Sequence, residues 1–394
     1  MLIVVVVASL CAVNASPLSV SAAAALDSST PQTANFGSVP LHYARYGNGP
    51  IIAAPDAANE LSELSVIKAK GLISNPIDNY YLYTAPHDNP GGVYLYTSPA
   101  PEGPWTLYSQ TPVIQKSILR NGNVSHVSSP WVVWNDETHK FYCYFHAGFS
   151  PSDQQKTFLA ISANGISWTL PSTAPTLDVG PAGTWEALYV AYAVVAKVGS
   201  NWYMWYEGSS TGSTVAIGLA TSKDGRNWAK YSGNPVLSAD KSIGEPTSPG
   251  AMTGSVYYNS DNGGTFYLLY GVGELGHRTT NIAQTKDGHT ITRYTNNPIL
   301  APSANGWDSA CAAGAVLLYD SGTYYLFYLG GSDTGISDIY IGLASNPPNA
   351  SPATPSGVAH EIYVVVRGAD NALWQKTYVA GNNQWSSWTS IGGM

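Results

Sequence analysis

Five times along this chain of 394 residues a tyrosine-rich strand is followed by a second strand that ends in a Gly/Ser/Asp turn. The leading strands are Asn79–Ala85 (NYYLYTA), Lys140–Gly148 (KFYCYFHAG), Asn201–Gly208 (NWYMWYEG), Thr265–Glu274 (TFYLLYGVGE) and Thr323–Gly331 (TYYLFYLGG). They recur about every 60 residues, the mark of a repeat architecture. Each is trailed by a partner such as TFLAISANGISW or AIGLATSKDGRNW, so each unit reads as consecutive antiparallel strands joined by tight turns. Five such units predict an all-β chain, a five-bladed β-propeller over residues 38–348.

The chain ends set how that ring closes. Units one to four finish on SQTPVI (Ser109–Ile114), STAPTL (Ser172–Leu177), SGNPVL (Ser232–Leu237) and TNNPIL (Thr295–Leu300), whereas the fifth runs from IYIGLAS into NPPNASPATPSG. The missing piece stands at the other end: LHYARYGNGPII (Leu41–Ile52) matches WAKYSGNPVL (Trp228–Leu237) almost residue for residue. We therefore expect the N-terminal strand to complete the last blade and leave no open sheet edge.

Composition adds a compartment. Only 11% of residues are charged, and the net charge of −8 argues against nucleic acid or an anionic membrane as partner. The apolar run Leu2–Val13, followed by small residues, reads as a secretory signal within residues 1–25, cut after Ala15 or in Ala22–Ala25. The mature chain is expected to be a secreted monomer. Cys143 and Cys311 fall in units that are not ring neighbours, so free thiols are expected, and no Cys/His spacing of the metal-binding kind occurs. No cofactor or metal is therefore expected.

After a Pro/Ala/Ser linker (349–357) the character changes. Residues 358–394 carry VVVRGADNALWQK and QWSSWTSIGG, which resemble one repeat of the bacterial and fungal propeller lectins. One repeat cannot bury its own face, so it either continues beyond Met394 or packs on the propeller as an appendage.

In a small propeller the loops before the innermost strands converge on one funnel. Those loops carry Glu60 and Glu63, His126, Glu186, Glu245 and Asp308. Trp185-Glu186 and Trp307-Asp308 stand equally far ahead of Val194 and Val316, so Glu186 and Asp308 are expected to face one another. Two carboxyl groups across a cleft are what glycosidic cleavage needs, one protonated toward the leaving group and one ionised toward water or the anomeric carbon. A second polar set, His87-Asp88, His146, Glu207 and Glu274, follows the tyrosine-rich strands and is expected at the same mouth. His146 and Glu207 are read as sugar-binding groups with His126, and Trp185 and Trp307 as stacking platforms or packing residues.

The fivefold pattern, the NPVL motifs and LATSKDGRNW resemble the five-bladed glycosidases around glycoside hydrolase family 43. That resemblance implies hydrolysis of arabinose-, xylose-, fructose- or galactose-type linkages in a polysaccharide or oligosaccharide. It places Glu63, within Ser62–Lys68, at the family's general base and Glu186 at its general acid; Asp308 and Glu245 stand beside them as candidate catalytic carboxylates read from the funnel loops alone. The family's third carboxylate, an Asp before Pro, falls here on Ser129. Two other readings stand beside this one: a polysaccharide lyase drawing on His126 and His146, and a non-catalytic carbohydrate-binding protein.

Overall fold

The computed structural model describes residues 35–347 except 37, 53–60, 88, 246–251, 274–276 and 333–338, together with strands inside 361–393. The expected signal, the linker, Glu60, Asp88 and Glu274 lie outside the described residues.

The chain is all-β, with three short 3-10 turns among the described residues. Unit one comprises Ser62–Lys68, Tyr80–Ala85, Tyr94–Ser98 and Thr106–Leu107; unit two Val124–Asn135, Lys140–Phe149 and Gln154–Ser162. Unit three comprises Tyr189–Val198, Asn201–Ser209, Ala216–Ser222 and Ala229–Lys230; unit four Met252–Asn259, Thr265–Val272, Thr279–Thr285 and Thr292–Arg293. Unit five contains Cys311–Asp320, Thr323–Gly331 and Tyr340–Asn346, and its fourth strand is the N-terminal Ala44–Arg45, paired antiparallel with Ala344 and Ser345. Within each unit neighbours in sequence are neighbours in the sheet, and units two and three join through a single parallel pair, Gln155 with Tyr189.

The NPVL motifs make the same contact in every unit. Ile114, Leu177, Leu237 and Leu300 each bridge the third strand of their unit, and Ile52 bridges Ile341 in the fifth. Thus Leu41–Ile52 takes the place its likeness to Trp228–Leu237 predicted.

Turns of the form Ser/Thr-x-Asp/Asn-Gly hold successive units together. Ser222 Oγ accepts from the Gly225 N–H, and Asp224 takes the N–H groups of Arg226 and Asn227. This coils the backbone so that the Gly225 carbonyl receives the Tyr144 hydroxyl of the preceding unit at 2.7 Å. Gly165 receives Tyr83 and Gly288 receives the Trp205 indole in the same manner. Gly225 has φ +69, and a Cβ there would meet the Tyr144 hydroxyl and the Trp202 ring.

The first strands tie laterally. Ser65 Oγ accepts from the Val132 N–H, the Trp131 indole donates to Val195, Thr253 Oγ1 to Tyr192, and Ser255 Oγ to Ala315. Units five and one meet through the Lys68–Asp320 ion pair and the Tyr80 hydroxyl on Asp320. The second strands of units two and three carry some of the most buried aromatic residues, Tyr142, Tyr144, Trp202, Trp205 and Tyr206. Their flat faces and hydroxyl tips fill space while reaching partners at the unit margins.

Cys143 is buried and Cys311 half-buried, both as free thiols. Strands Glu361–Arg367, Ala372–Val379, Gln384–Trp385 and Thr389–Gly393 form a further sheet.

Candidate functional site

Three of the expected carboxylates are held inside their own units. Glu186 receives the Tyr206 hydroxyl on Oε2 at 2.7 Å and the Lys230 ammonium on Oε1 at 2.7 Å. Glu245 receives the Tyr270 hydroxyl at 2.7 Å and pairs with Arg293 at 3.4 Å. Asp308 takes the Tyr328 hydroxyl at 3.0 Å, Arg45 Nε at 2.7 Å and Ser303 Oγ. In each case the carboxylate fastens the loop before the first strand to a second-strand tyrosine and a fourth-strand cation. All three are buried, and the cation holds the charge in place. The expectation that Glu186 faces Asp308 across a funnel is therefore corrected. Equal spacing ahead of the strand reflects an equal staple in units three, four and five.

The two tryptophans belong to the same packing. The Trp185 ring covers Gly208 so closely that a Cβ there would lie 2.3 Å from it, and it stacks on Tyr206. Trp307 covers Gly330 and Gly342 and stacks on Tyr328. Both act as lids on glycine strands, the packing alternative of the two readings above.

The functional cluster is built instead by bulges. Every first strand slips register: at Glu63, before Trp131, after Ala191, at Gly254 and after Ala313, with a second slip at Ser125 in unit two. Glu63 (φ 48), Ser129 (φ 54) and Tyr192 (φ 51) occupy these bulges in the left-handed region, as does Gly314 (φ 59). Non-glycine residues there carry strain of about 1–3 kcal/mol each, and bulges of this kind re-aim side chains. The charge of Glu63 acts on Tyr192, Glu207 and Cys311, so units one, three and five converge.

Glu207 is the buried acid of this centre, only 4% exposed. Its Oε1 accepts the Thr253 N–H at 2.8 Å and the Thr253 hydroxyl at 3.2 Å. Desolvation, and next the charge of Glu63, push its carboxyl up to about 8, against the pull of the Thr253 bonds and Arg278. Glu207 is thus neutral at pH 7 beside Glu63, the arrangement that splits two carboxyl groups into an acid and a base. Burial, then Glu207 and Glu63, hold the Tyr192 phenol well above its ordinary range. Arg278 Nε is buried without a hydrogen-bond partner among the described residues.

Next to the carboxylates stand three histidines. His87 follows the second strand of unit one, while His126 and His146 lie on the first and second strands of unit two. One ligand atom from each lies within 4.8 Å of the others. His126 Nε2 is 3.3 Å from His146 Nε2, and Ser125 Oγ is 3.0 Å from His126 Nδ1. His146 is buried, which with the neighbouring His87 and His126 depresses its pKa far below the ordinary range and keeps it neutral. The Tyr192 ring lies parallel to His87 and 4.9 Å from His146, centroid to centroid. These three imidazoles can hold a metal ion, contrary to the expectation from sequence spacing. The ligands come from the segment after one strand and from two further strands, which no local Cys/His motif reveals.

Of the residues proposed from sequence, the structure brings together Glu63, His126, His146 and Glu207; it sets apart Glu186, Glu245, Asp308, Trp185 and Trp307. Sequence reasoning missed Tyr192 and Arg278 and gave His87 a place at the mouth without a role. Tyr192 was one of 27 tyrosines, and only its alignment with Glu63 as the displaced residue of a first strand would have singled it out.

No family model matches the sequence, and no curated protein does. Solved structures do match. One described as a glycoside hydrolase is 15% identical with a TM-score of 0.60, covering 79% of this chain and 94% of that one. A GH130-family protein described among glycoside hydrolases that target β-1,2-mannosidic linkages gives 14% identity, TM-score 0.58, and coverage of 79% and 97%. The catalytic domain of the Coprinopsis cinerea GH62 α-L-arabinofuranosidase gives 12% identity, TM-score 0.55, and coverage of 78% and 98%. The likeness is one of fold. The chain has the all-β, propeller-type architecture of glycoside hydrolases.

Proposed function

We propose that this chain is an exported glycoside hydrolase, a five-bladed propeller closed by its N-terminal strand, that cleaves a polysaccharide or oligosaccharide at the centre where the five first strands bulge. The closure reading is supported by the lateral ties from Ser65 around to Lys68–Asp320 and by Ala44–Arg45 completing unit five.

The observation that carries the activity is the Glu63–Glu207 pair. Glu207, held neutral at pH 7, is the proton donor to the leaving oxygen, its proton on Oε2 because Oε1 accepts both Thr253 bonds. Glu63, on a strained bulge, is the base that activates water or the nucleophile at the anomeric carbon. This reassigns the acid from Glu186, whose two oxygens are already engaged, to a residue first read as sugar-binding.

The test is product analysis with arabinans, xylans, fructans, galactans and uronate polymers, comparing the protein with Glu207→Gln and Glu63→Gln. Products heavier by one water, reduced about 10²–10⁴-fold in each variant, support the assignment. Unsaturated products would replace it with a lyase. That second reading is favoured by one observation: Tyr192, strained and set against His87 and His146, lies near Arg278, a cation able to meet a uronate carboxylate. Retained polymer binding without products would leave a lectin.

A further inference from the structure

The three histidines beside Tyr192 have a geometry that neither carboxylate chemistry nor packing explains. Two imidazoles facing each other through Nε2 at 3.3 Å can form only one long hydrogen bond, and only when one Nε2 carries a proton and the other does not. The same 3.3 Å has another meaning. A metal ion with bonds of about 2.05 Å to two nitrogens in tetrahedral array sets those nitrogens about 3.3 Å apart. His87 completes a three-nitrogen face, its ligand atom within 4.8 Å of the other two.

The surroundings orient the rings as metal ligands need. His126 can donate from Nδ1 to Ser125 Oγ, which leaves the Nε2 lone pair pointing at the shared centre. His146 Nδ1 is buried with no hydrogen-bond partner, and so is the hydroxyl of Ser128. Ser128 is the register partner of His146 across the strand pair, on the same face. It supplies an acceptor for Nδ1–H once Nε2 turns to a metal. A metal at Nε2 fixes the proton on Nδ1 and so sets the tautomer that the buried, unmatched Nδ1 takes.

We propose that His87, His126 and His146 form a transition-metal site, zinc foremost. Imidazole nitrogens suit zinc and its neighbours, whereas calcium and magnesium take oxygen ligands. Three protein ligands leave a fourth position, and His87 and His126 are half-buried, so that water or a substrate oxygen reaches it. Histidines so engaged are ligands and not general bases, which separates this site from a histidine-based lyase. The site rests on histidine geometry alone and stands independently of the hydrolase reading.

The full chain, stripped with a chelator and dialysed, should take up one zinc per molecule by mass spectrometry of metals. Cobalt(II) in its place should give the intense visible bands of a four-coordinate site. His126→Ala and His146→Ala should weaken zinc binding about 100-fold or more, beyond the 10–100-fold that outer partners are worth. His289→Ala, at a half-buried histidine beside Tyr231 and Asp287, should leave zinc uptake unchanged. If a buried substitution prevents folding, seen by near-ultraviolet circular dichroism, the half-buried His87→Gln and the wild-type cobalt spectrum decide the matter. Zinc uptake equal in the wild type and the His variants, or a cobalt spectrum of the hydrated ion only, overturns the proposal. No substrate enters the measurement, so a hydrolase without metal and a metal site without hydrolysis give different results.

Discussion

Arg45 Nε stands 2.7 Å from Asp308 Oδ2, a contact between residues 263 positions apart that fastens the N-terminal strand to the last unit. Asp308 is fully buried while Arg45 keeps an exposed flank. Removing the cation leaves a buried carboxylate with only hydroxyl partners. Arg45→Ala should therefore lower stability by about 3 kcal/mol, the range seen when one member of a buried pair is lost. Asp308→Asn in the same chain should recover part of it. A melting temperature unchanged in Arg45→Ala would show that the strand is held by its backbone pairing alone.

The staple carboxylates and the central ones should part company in experiment. Glu186→Gln removes the charge that Lys230 pairs with and should cost stability while leaving kcat within about twofold, since its partners Tyr206 and Lys230 both belong to unit three. Glu63→Gly should do the reverse. It abolishes the proposed base and relieves a φ of 48, so the melting temperature should rise by the equivalent of about 1 kcal/mol or more. Loss of turnover in Glu186→Gln with full stability would return the acid role to Glu186.

Glu207 sets a pH dependence whose sign follows from its environment. Between the ordinary 4.5 and about 8 the folded protein holds a proton that the unfolded chain has released. The stability from this group is thus complete below the lower value and disappears as pH rises through the upper one, with a slope of up to about 1.4 kcal/mol per unit. Glu63, Arg278, Tyr192 and Tyr189 face it and are common to wild type and variant. Melting temperatures from pH 5 to 8.5 should fall more steeply in the wild type than in Glu207→Gln. Parallel curves would mean that Glu207 is ionised throughout.

Gly208 is fitted to the Trp185 ring. A methyl group there would stand 2.3 Å from Trp185 Cζ3 and 3.0 Å from Glu186 Cβ, so Gly208→Ala should destabilise by about 1–3 kcal/mol through forced repacking. Gly47→Ala is a poor control because of its positive φ, but Gly122, with open space and ordinary φ, should tolerate alanine. Equal melting temperatures for Gly208→Ala and Gly122→Ala would show that Trp185 can swing away.

Much of the architecture was legible in the chain because its causes are local and repeated. A tyrosine-rich strand, a Ser-x-Asp-Gly turn and an NPVL segment each act within a few residues, and the turn's hydroxyl and carboxylate bond their own backbone. The N-terminal strand was legible for the same reason: Ile52 repeats the environment of Leu237 and meets Ile341 as Leu237 meets Ile217. The centre was legible only in part. Glu63 stood out by its place ahead of a strand, yet the same criterion singled out Glu186, Glu245 and Asp308. Their cations, Lys230, Arg293 and Arg45, lie 44, 48 and 263 positions away, where no local pattern shows them.

The sequence by itself determined the repeat, the order of strands and the strand that fills the last unit, because hydrophobic period and turn chemistry act over short range. The tertiary structure alone decided which polar groups are partners. Burial set Glu207 beside Glu63 and made it neutral, bulges turned Tyr192 toward His87 and His146, and sheet register brought His126 and His146 within bonding range. Electrostatics and metal-ligand geometry depend on distances of a few ångströms between strands far apart in the chain, and those distances exist only after the units have packed.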